Sequence, residues 1–143
     1  ISQLLIDWDA DINFCDSKGR SIVHMASWGP SGGRNGKILL GLVAADAPEC
    51  LQIVLNKCGE DVKSAMHRDI EGCSPLHTAA STEAYASLDV ILKYLRERCT
   101  DKIFHSHLNQ LSNGYCTPLM YSTYRDSAEC VQSLLNYLKI VFF

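Results

Sequence analysis

The residues best suited to chemistry are cysteines and histidines, and one such pair is closely spaced. Cys73 and His77 have the residue types of a nucleophile with its base, or of half a metal site. No motif places an Asp or Asn to complete a triad with them. His105 and His107 form a second pair in a segment that we expect to be a loop. We therefore expect no catalytic residue, no metal ligand and no cofactor.

The cysteines indicate a reducing environment. There are seven, an odd number with scattered spacings: Cys15, Cys50, Cys58, Cys73, Cys99, Cys116 and Cys130. None forms a Cys-x-x-Cys pair, so neither a zinc ribbon nor a thioredoxin-like motif is supported. No basic segment followed by an apolar signal core opens the sequence, which begins at Ile1. We expect free thiols acting as small apolar side chains in an intracellular, most simply cytoplasmic, fragment of a longer protein.

Composition excludes several classes of partner. The chain has 143 residues, is 47% hydrophobic and carries a formal net charge of -3. An acidic chain without a basic stripe is not expected to bind nucleic acid. No apolar run approaches the roughly 20 residues that a membrane-spanning helix needs. The glycine-rich stretch from Gly29 to Gly36 lacks the phosphate-loop and dinucleotide motifs, so no small-molecule ligand is expected.

The strongest sequence signal is an internal repeat. Residues 16–27, 69–80 and 112–123 align, each with a glycine, then Ser or Thr, then two apolar-type positions. The glycines suit turns in which φ is positive, and the hydroxyl residues suit helix N-caps. The aligned positions are Gly19, Gly72 and Gly114 for the turns, and Ser21, Ser74 and Thr117 for the caps. Each unit therefore predicts a turn followed by a short helix, with Pro75 and Pro118 at first helical positions.

A second helix recurs in each unit. The segment 49–55 matches 129–135 almost position by position, and 88–95 has the same amphipathic spacing. In the last of these, Leu88, Ile91, Leu92 and Leu95 fall at the i, i+3, i+4 and i+7 positions of one helix face. The repeating unit is therefore a turn and two helices.

This unit resembles the ankyrin repeat, whose signature is a turn plus two helices carrying T-P-L-H-x-A. The match is clearest at Ser74-Pro75-Leu76-His77-Thr78-Ala79-Ala80. The resemblance implies an all-α solenoid of stacked helix-turn-helix units joined by β-turn or hairpin loops. It also implies that His24 and His77 bond to backbone near the turns and so connect adjacent repeats. Met120 replaces this histidine in the third unit.

The spacing between units exceeds the usual ankyrin period. We expect one ankyrin domain over 1–143, with residues 1–15 ending a truncated repeat. Further repeats are expected at 16–62, at 63–108 with a long outer helix and a loop through 100–109, and at 109–143. Around 30–48 the sequence fits either an insertion or a degenerate repeat, with a helix at 37–45. The last unit carries one additional residue between Gly114 and Thr117.

The resemblance implies a protein-binding module whose concave face consists of turn tips and inner helices. The partner is another protein of unknown identity. The predicted contact residues are Lys18, Arg20, Met25, Trp28, Ile70, Glu71, Thr78, Ser81, Asn113, Tyr115, Tyr121 and Tyr124. Trp, Tyr and Arg dominate interface hot spots, which favours Arg20, Trp28, Tyr121 and Tyr124. The alternative for Trp28 and the tyrosines is packing against the insertion or a neighbouring repeat.

Two other functions remain open at this point. The chain could be a regulatory or targeting segment of a larger enzyme or channel. It could also be a cysteine-dependent hydrolase, which would require one thiol of unusually low pKa.

Overall fold

The computed structural model describes residues 15–27 and 48–142, with side chains to residue 138. Several expectations therefore lie outside the described residues. These are the helix of a truncated first repeat, the contact predicted for Trp28, the glycine-rich segment and the helix at 37–45.

The described residues form eight helices and no strand. In chain order they are α1 (Ile22–Ala26), α2 (Pro48–Cys58), α3 (Val62–Ala65), α4 (Pro75–Ser81), α5 (Tyr85–Arg98), α6 (Asp101–Leu108), α7 (Pro118–Tyr124) and α8 (Ala128–Phe142). Short inner helices (α1, α4 and α7) alternate with longer outer helices (α2, α5 and α8). Helix α4 packs on α7, and α5 packs between α2 and α8. The predicted all-α stack is confirmed. Within these ranges no helix is long and apolar enough to span a membrane.

Each inner helix begins at the predicted cap. Ser21 Oγ accepts a hydrogen bond from the His24 amide, and Thr117 Oγ1 accepts one of 3.2 Å from the Met120 amide. Ser74 has the extended backbone of an N-cap, and its amide donates to His77 Nδ1 at 3.1 Å. These bonds satisfy amide groups that the first helical turn leaves free.

The core lies between the inner and outer helices. It contains the fully buried side chains of Leu51 and Leu55 in α2, Leu88 and Leu92 in α5, and Leu134 in α8. Each such side chain contributes about 1.5–3 kcal/mol through burial. The stack therefore depends on the outer-helix periodicity that the sequence shows.

The prediction of a loop through residues 100–109 is wrong, because residues Asp101–Leu108 form the helix α6. Thr100 caps it by accepting a hydrogen bond of 3.4 Å from the Ile103 amide. Phe104 and Leu108 lie one turn apart on the same face and are 0% and 3% exposed. Phe104 also packs edge to face on Tyr137, with 6.0 Å between ring centres. His105 and His107 consequently lie on a helix.

The alignment of the third turn also requires correction. We name residues 16–20, 69–73 and 112–116 turns 1, 2 and 3. The left-handed position is Gly19 in turn 1 (φ 72°), Gly72 in turn 2 (φ 76°) and Tyr115, not Gly114, in turn 3 (φ 62°). Each turn therefore has the same length, and the additional residue before Thr117 is an artefact of aligning on Gly114.

Candidate functional site

The turns are closed by the side chain of their first residue. In turn 1, Asp16 Oδ1 accepts hydrogen bonds of 2.9 Å from the amides of Lys18 and Arg20. Asp69 Oδ1 binds the amides of Glu71 and Cys73 in the same way in turn 2. Desolvation acts to raise the pKa of Asp16, but hydrogen bonds from Arg20 and Lys18 lower it below its ordinary value. The carboxylate thus stays ionised and holds the turn at neutral pH.

Successive turns are hydrogen-bonded to each other. The Ile70 amide donates to the Lys18 carbonyl at 2.8 Å, and the Asn113 amide donates to the Glu71 carbonyl at 2.9 Å. Asn113 Nδ2 adds a bond of 3.0 Å to the Ile70 carbonyl. Arg68 Nη2 donates to the Leu111 carbonyl at 2.7 Å. The three turn tips are therefore held at fixed positions along one edge of the stack.

Two buried histidines connect the repeats, as the resemblance implied. His24 Nδ1 accepts from the Ser21 amide at 3.2 Å, so its Nε2 carries the proton and donates to the Cys73 carbonyl at 2.8 Å. His77 repeats the arrangement with the Ser74 amide and the Cys116 carbonyl, at 3.1 and 2.9 Å. Burial lowers the pKa of both rings, although the carbonyl bonds act to raise it. Both histidines are structural and neutral near pH 7.

Most of the predicted contact residues lie on the surface that the turns and inner helices share, which we name the tip face. Lys18, Glu71 and Asn113 are exposed there. The exposed apolar side chains are Met25 at 40%, Ile70 at 65%, Tyr115 at 78% and Tyr124 at 86%. Ser81 is half-buried. The tip face therefore combines apolar contact area with two charges of opposite sign.

Three predicted contact residues are partly or fully covered by the rest of the chain. Arg20 is half-buried, and its Nε lies 2.7 Å from Asp16 Oδ2. Thr78 is only 8% exposed. Tyr121 packs edge to face on His77 at 5.5 Å, and its hydroxyl donates to Ser112 Oγ at 3.2 Å. These side chains offer less free surface to a partner than Ile70 or Tyr124.

Sequence reasoning missed one exposed residue and one structural role on this face. Met120 is 52% exposed beside Tyr121 and Tyr124. Its position in the unit, where the first two repeats have a histidine, could have pointed to it. The Asn113 side chain links turns 2 and 3, and only the contact with Ile70 reveals this.

The site chemistry of the described residues does not favour catalysis. Burial raises the pKa of Cys73 to about 11, and His77 uses both ring nitrogens on Ser74 and Cys116. Burial also raises the pKa values of Cys58 and Cys99. A nucleophilic thiol requires a shift in the opposite direction. Across residues 15–27 and 48–142, no group of His, Cys, Asp and Glu could hold a metal ion.

Only some of the cysteines behave as small core residues. Cys58, Cys73 and Cys130 are buried, whereas Cys50 is exposed and the other three are half-buried. None of the seven belongs to a disulfide.

A repeated turn, a short capped inner helix and a longer outer helix, connected by buried histidines, define a helical repeat stack. A family model of ankyrin repeats, in three copies, matches residues 39–141. The chain belongs to the ankyrin repeat family.

A curated protein with detectable similarity is the human transient receptor potential cation channel subfamily A member 1. The two sequences are 30% identical over 88 residues, which is 62% of this chain. The matched segment is 7% of the channel protein, so the chain corresponds to a small part of that relative.

Proposed function

We propose that this chain is a non-catalytic binding module that holds one protein partner on its tip face. Ankyrin repeats are in general protein-protein interaction modules. The observation that carries the proposal is the row of exposed apolar side chains above turns that are hydrogen-bonded to one another. A surface fixed before binding loses little conformational entropy when a partner docks.

The exposed apolar residues are the expected source of affinity. Ile70 is 65% exposed and lies in the middle turn, while Tyr124 is 86% exposed at the end of α7. Lys18 and Glu71 flank Ile70 with opposite charges, so they orient a partner and contribute less to affinity. A few aromatic and aliphatic anchors normally supply most of the binding energy of an interface.

A matched pair of double variants tests this surface. Ile70→Ala with Tyr124→Ala removes an isoleucine and a tyrosine from the tip face. Ile103→Ala with Tyr85→Ala removes the same two residue types from α6 and α5, where they are 51% and 53% exposed. Both variants and the parent chain are used for affinity capture from cell lysate after circular dichroism confirms helicity.

We expect a partner that the parent chain and the Ile103/Tyr85 variant retain and the Ile70/Tyr124 variant loses. Loss from the Ile103/Tyr85 variant alone would place the interface on the outer helices and contradict the proposal. Arg20 and Tyr121 are avoided in this design, because their internal contacts would confuse unfolding with lost binding.

The chain is proposed to have no enzymatic activity and an intracellular, cytoplasmic location. Cysteines outside disulfides support the location, since disulfides are rare in the cytosol. The raised pKa values of Cys58, Cys73 and Cys99 support the lack of activity, since a nucleophilic cysteine needs a lowered pKa. Labelling with iodoacetamide tests the first point. Because exposure alone makes Cys50 react faster than the buried thiols, the urea-unfolded chain is the reference. A thiol that reacts far faster in the folded chain than in the unfolded chain would contradict the proposal.

A second function is favoured by the similarity to a cation channel. The chain could serve as a regulatory or targeting segment of a larger membrane protein or enzyme. The full-length transcript that encodes this chain distinguishes a binding module alone from a segment of a larger protein. Membrane-spanning or catalytic segments in the same reading frame would support this function, and repeats on both sides would argue against it.

The repeat boundaries at 16–62, 63–108 and 109–143, with residues 1–15 ending an earlier repeat, remain a proposal. Turn 1 is bonded directly to turn 2 through Lys18 and Ile70, and α1 packs on α2. This supports an insertion, not a further repeat, between Ser27 and Pro48. Replacing residues 30–45 with a short glycine-serine linker should therefore preserve cooperative unfolding. Loss of folding would favour the degenerate repeat.

A further inference from the structure

We propose that Asn113–Gly114, at the tip of turn 3, is a site of spontaneous deamidation that converts Asn113 into an acidic residue. The sequence asparagine-glycine favours this reaction, because glycine has no side chain to hinder approach of its own amide nitrogen. Other described asparagines precede bulkier residues: Asn56 precedes Lys57, Asn109 precedes Gln110 and Asn136 precedes Tyr137.

The reaction needs only water. The Gly114 backbone nitrogen attacks Asn113 Cγ, the new N–Cγ bond forms, and the Cγ–Nδ2 bond breaks. Ammonia leaves with the proton from the Gly114 amide, which produces a cyclic imide. Water then opens the imide at either carbonyl and yields aspartate or isoaspartate.

The geometry of turn 3 leaves the reacting groups accessible. Asn113 and Gly114 are both exposed. Among the described residues, the Gly114 amide donates no hydrogen bond. No hydrogen bond of this nitrogen therefore has to break before it attacks Asn113 Cγ. The space beside Gly114 is open, since a Cβ built there would lie 3.8 Å from the nearest atom, Ser112 Oγ.

The hydrogen bond between the Asn113 side chain and turn 2 slows the reaction, and its loss changes how turns 2 and 3 are joined. Asn113 Nδ2, the leaving group, donates to the Ile70 carbonyl at 3.0 Å. Deamidation replaces this donor with a carboxylate oxygen, so two acceptors face each other where a hydrogen bond joined turns 2 and 3. The new charge also lies near Glu71, whose carbonyl accepts from the Asn113 amide.

The consequence for binding rests on the proposed function. Asn113 lies between the exposed side chains of Ile70 and Tyr115 on the tip face. A negative charge at Asn113 and the loss of its hydrogen bond to turn 2 lower the affinity for a partner that binds the unmodified turn. Deamidation would therefore act as a slow, irreversible change in affinity.

The test is a peptide map of the folded chain after incubation at about pH 8, near physiological temperature, compared with a Gly114→Ala variant. We expect Asn113 to deamidate at least roughly tenfold faster than Asn56, Asn109 and Asn136, and Gly114→Ala to remove this advantage. Isoaspartate in the Asn113 peptide identifies the imide route.

A rate at Asn113 equal to that of the other three asparagines would overturn the proposal. Asn35–Gly36 is the same dipeptide outside the described residues. Its deamidation in the same sample shows that the incubation conditions allow the reaction. Reaction there without reaction at Asn113 would also overturn it. These outcomes need no partner, so they are independent of the proposed function. Asn113→Asp and the control Asn109→Asp then measure the effect on capture separately.

Discussion

Tyr115 occupies a backbone conformation that glycine occupies in the two preceding turns. Its φ of 62° matches Gly19 and Gly72, and its side chain is 78% exposed. A left-handed conformation costs a residue with a Cβ roughly 1–2 kcal/mol. Glycine removes this cost but adds conformational entropy to the unfolded chain. Tyr115→Gly should therefore raise the free energy of unfolding by about 0.5–1 kcal/mol, measured by urea denaturation. A decrease would mean that the ring contributes packing energy.

Gly72 cannot be replaced without displacing turn 3. A Cβ at this position would lie 2.9 Å from the Asn113 backbone nitrogen and 2.5 Å from Asn113 Oδ1, and φ is also positive. Gly72→Ala should therefore reduce the free energy of unfolding by at least about 2 kcal/mol. Gly114→Ala, at an open position without positive φ, is the matched control and should change stability by under about 1 kcal/mol. Equal effects of the two substitutions in urea denaturation would contradict this view of the turns.

Local rules explain which residue roles could be predicted. Ser21 and Thr117 cap helices because their hydroxyl groups accept hydrogen bonds from nearby amides, and Ser74 occupies the same N-cap position, so sequence was sufficient. The left-handed conformation of Tyr115 was missed, because the adjacent Gly114 offered the more obvious alignment. Counting from Asp16, Asp69 and Ser112, which close the turns, would have identified it.

At the scale of elements, α6 adds a helix to the outer side of the stack. Phe104 is fully buried, and Arg96 lies over its ring at 5.4 Å. Phe104→Ala should cost about 3–5 kcal/mol of unfolding free energy through the cavity it creates. Ile103→Ala on the exposed face of the same helix should cost under about 0.5 kcal/mol. Similar losses from both, measured by thermal or urea denaturation, would mean that α6 does not pack as described.

The histidine links between inner helices should make stability depend on pH. Burial lowers the pKa values of His24 and His77 below 6.5 in the folded chain. The unfolded chain then binds more protons just below pH 6.5, so the free energy of unfolding falls as pH decreases. Each histidine contributes at most about 1.4 kcal/mol per pH unit between its folded and unfolded pKa values.

Denaturation at several pH values from about 7 to about 5.5, above the carboxylate range, measures this dependence. His77→Gln should reduce the slope, since one of the two rings no longer titrates. His107, whose pKa is also lowered by burial, contributes in the same direction and remains in both proteins. An unchanged slope in the variant would show that His77 is not buried in its neutral form.

Amphipathic spacing predicted the long outer helices but not α6. In α5 the apolar positions extend over several turns, whereas in α6 Phe104 and Leu108 are the two buried residues of a short segment. Two apolar positions one turn apart are a weak periodic signal, and the polar residues His105 and His107 between them favoured the prediction of a loop. The bonds between turns, such as Ile70 to Lys18, could not be predicted, because they depend on how complete repeats stack.

For the whole molecule, the hydrogen-bonded turns and buried histidines make the tip face one continuous surface. Interfaces of this kind act through a few exposed anchors on a rigid framework. Ile70 and Tyr124 satisfy that description, while the outer helices expose charges such as Glu49, Lys57 and Lys93 as well as the apolar side chain of Tyr85. The central claim is therefore that a partner covers the turns and inner helices and leaves the outer helices free.

Amide hydrogen exchange of the chain with and without its captured partner tests this claim most directly. We predict that the partner slows exchange in peptides covering residues 16–20, 69–73 and 112–116 and leaves α2 and α5 unchanged. Slower exchange confined to the outer helices, with the three turns unchanged, would contradict the account.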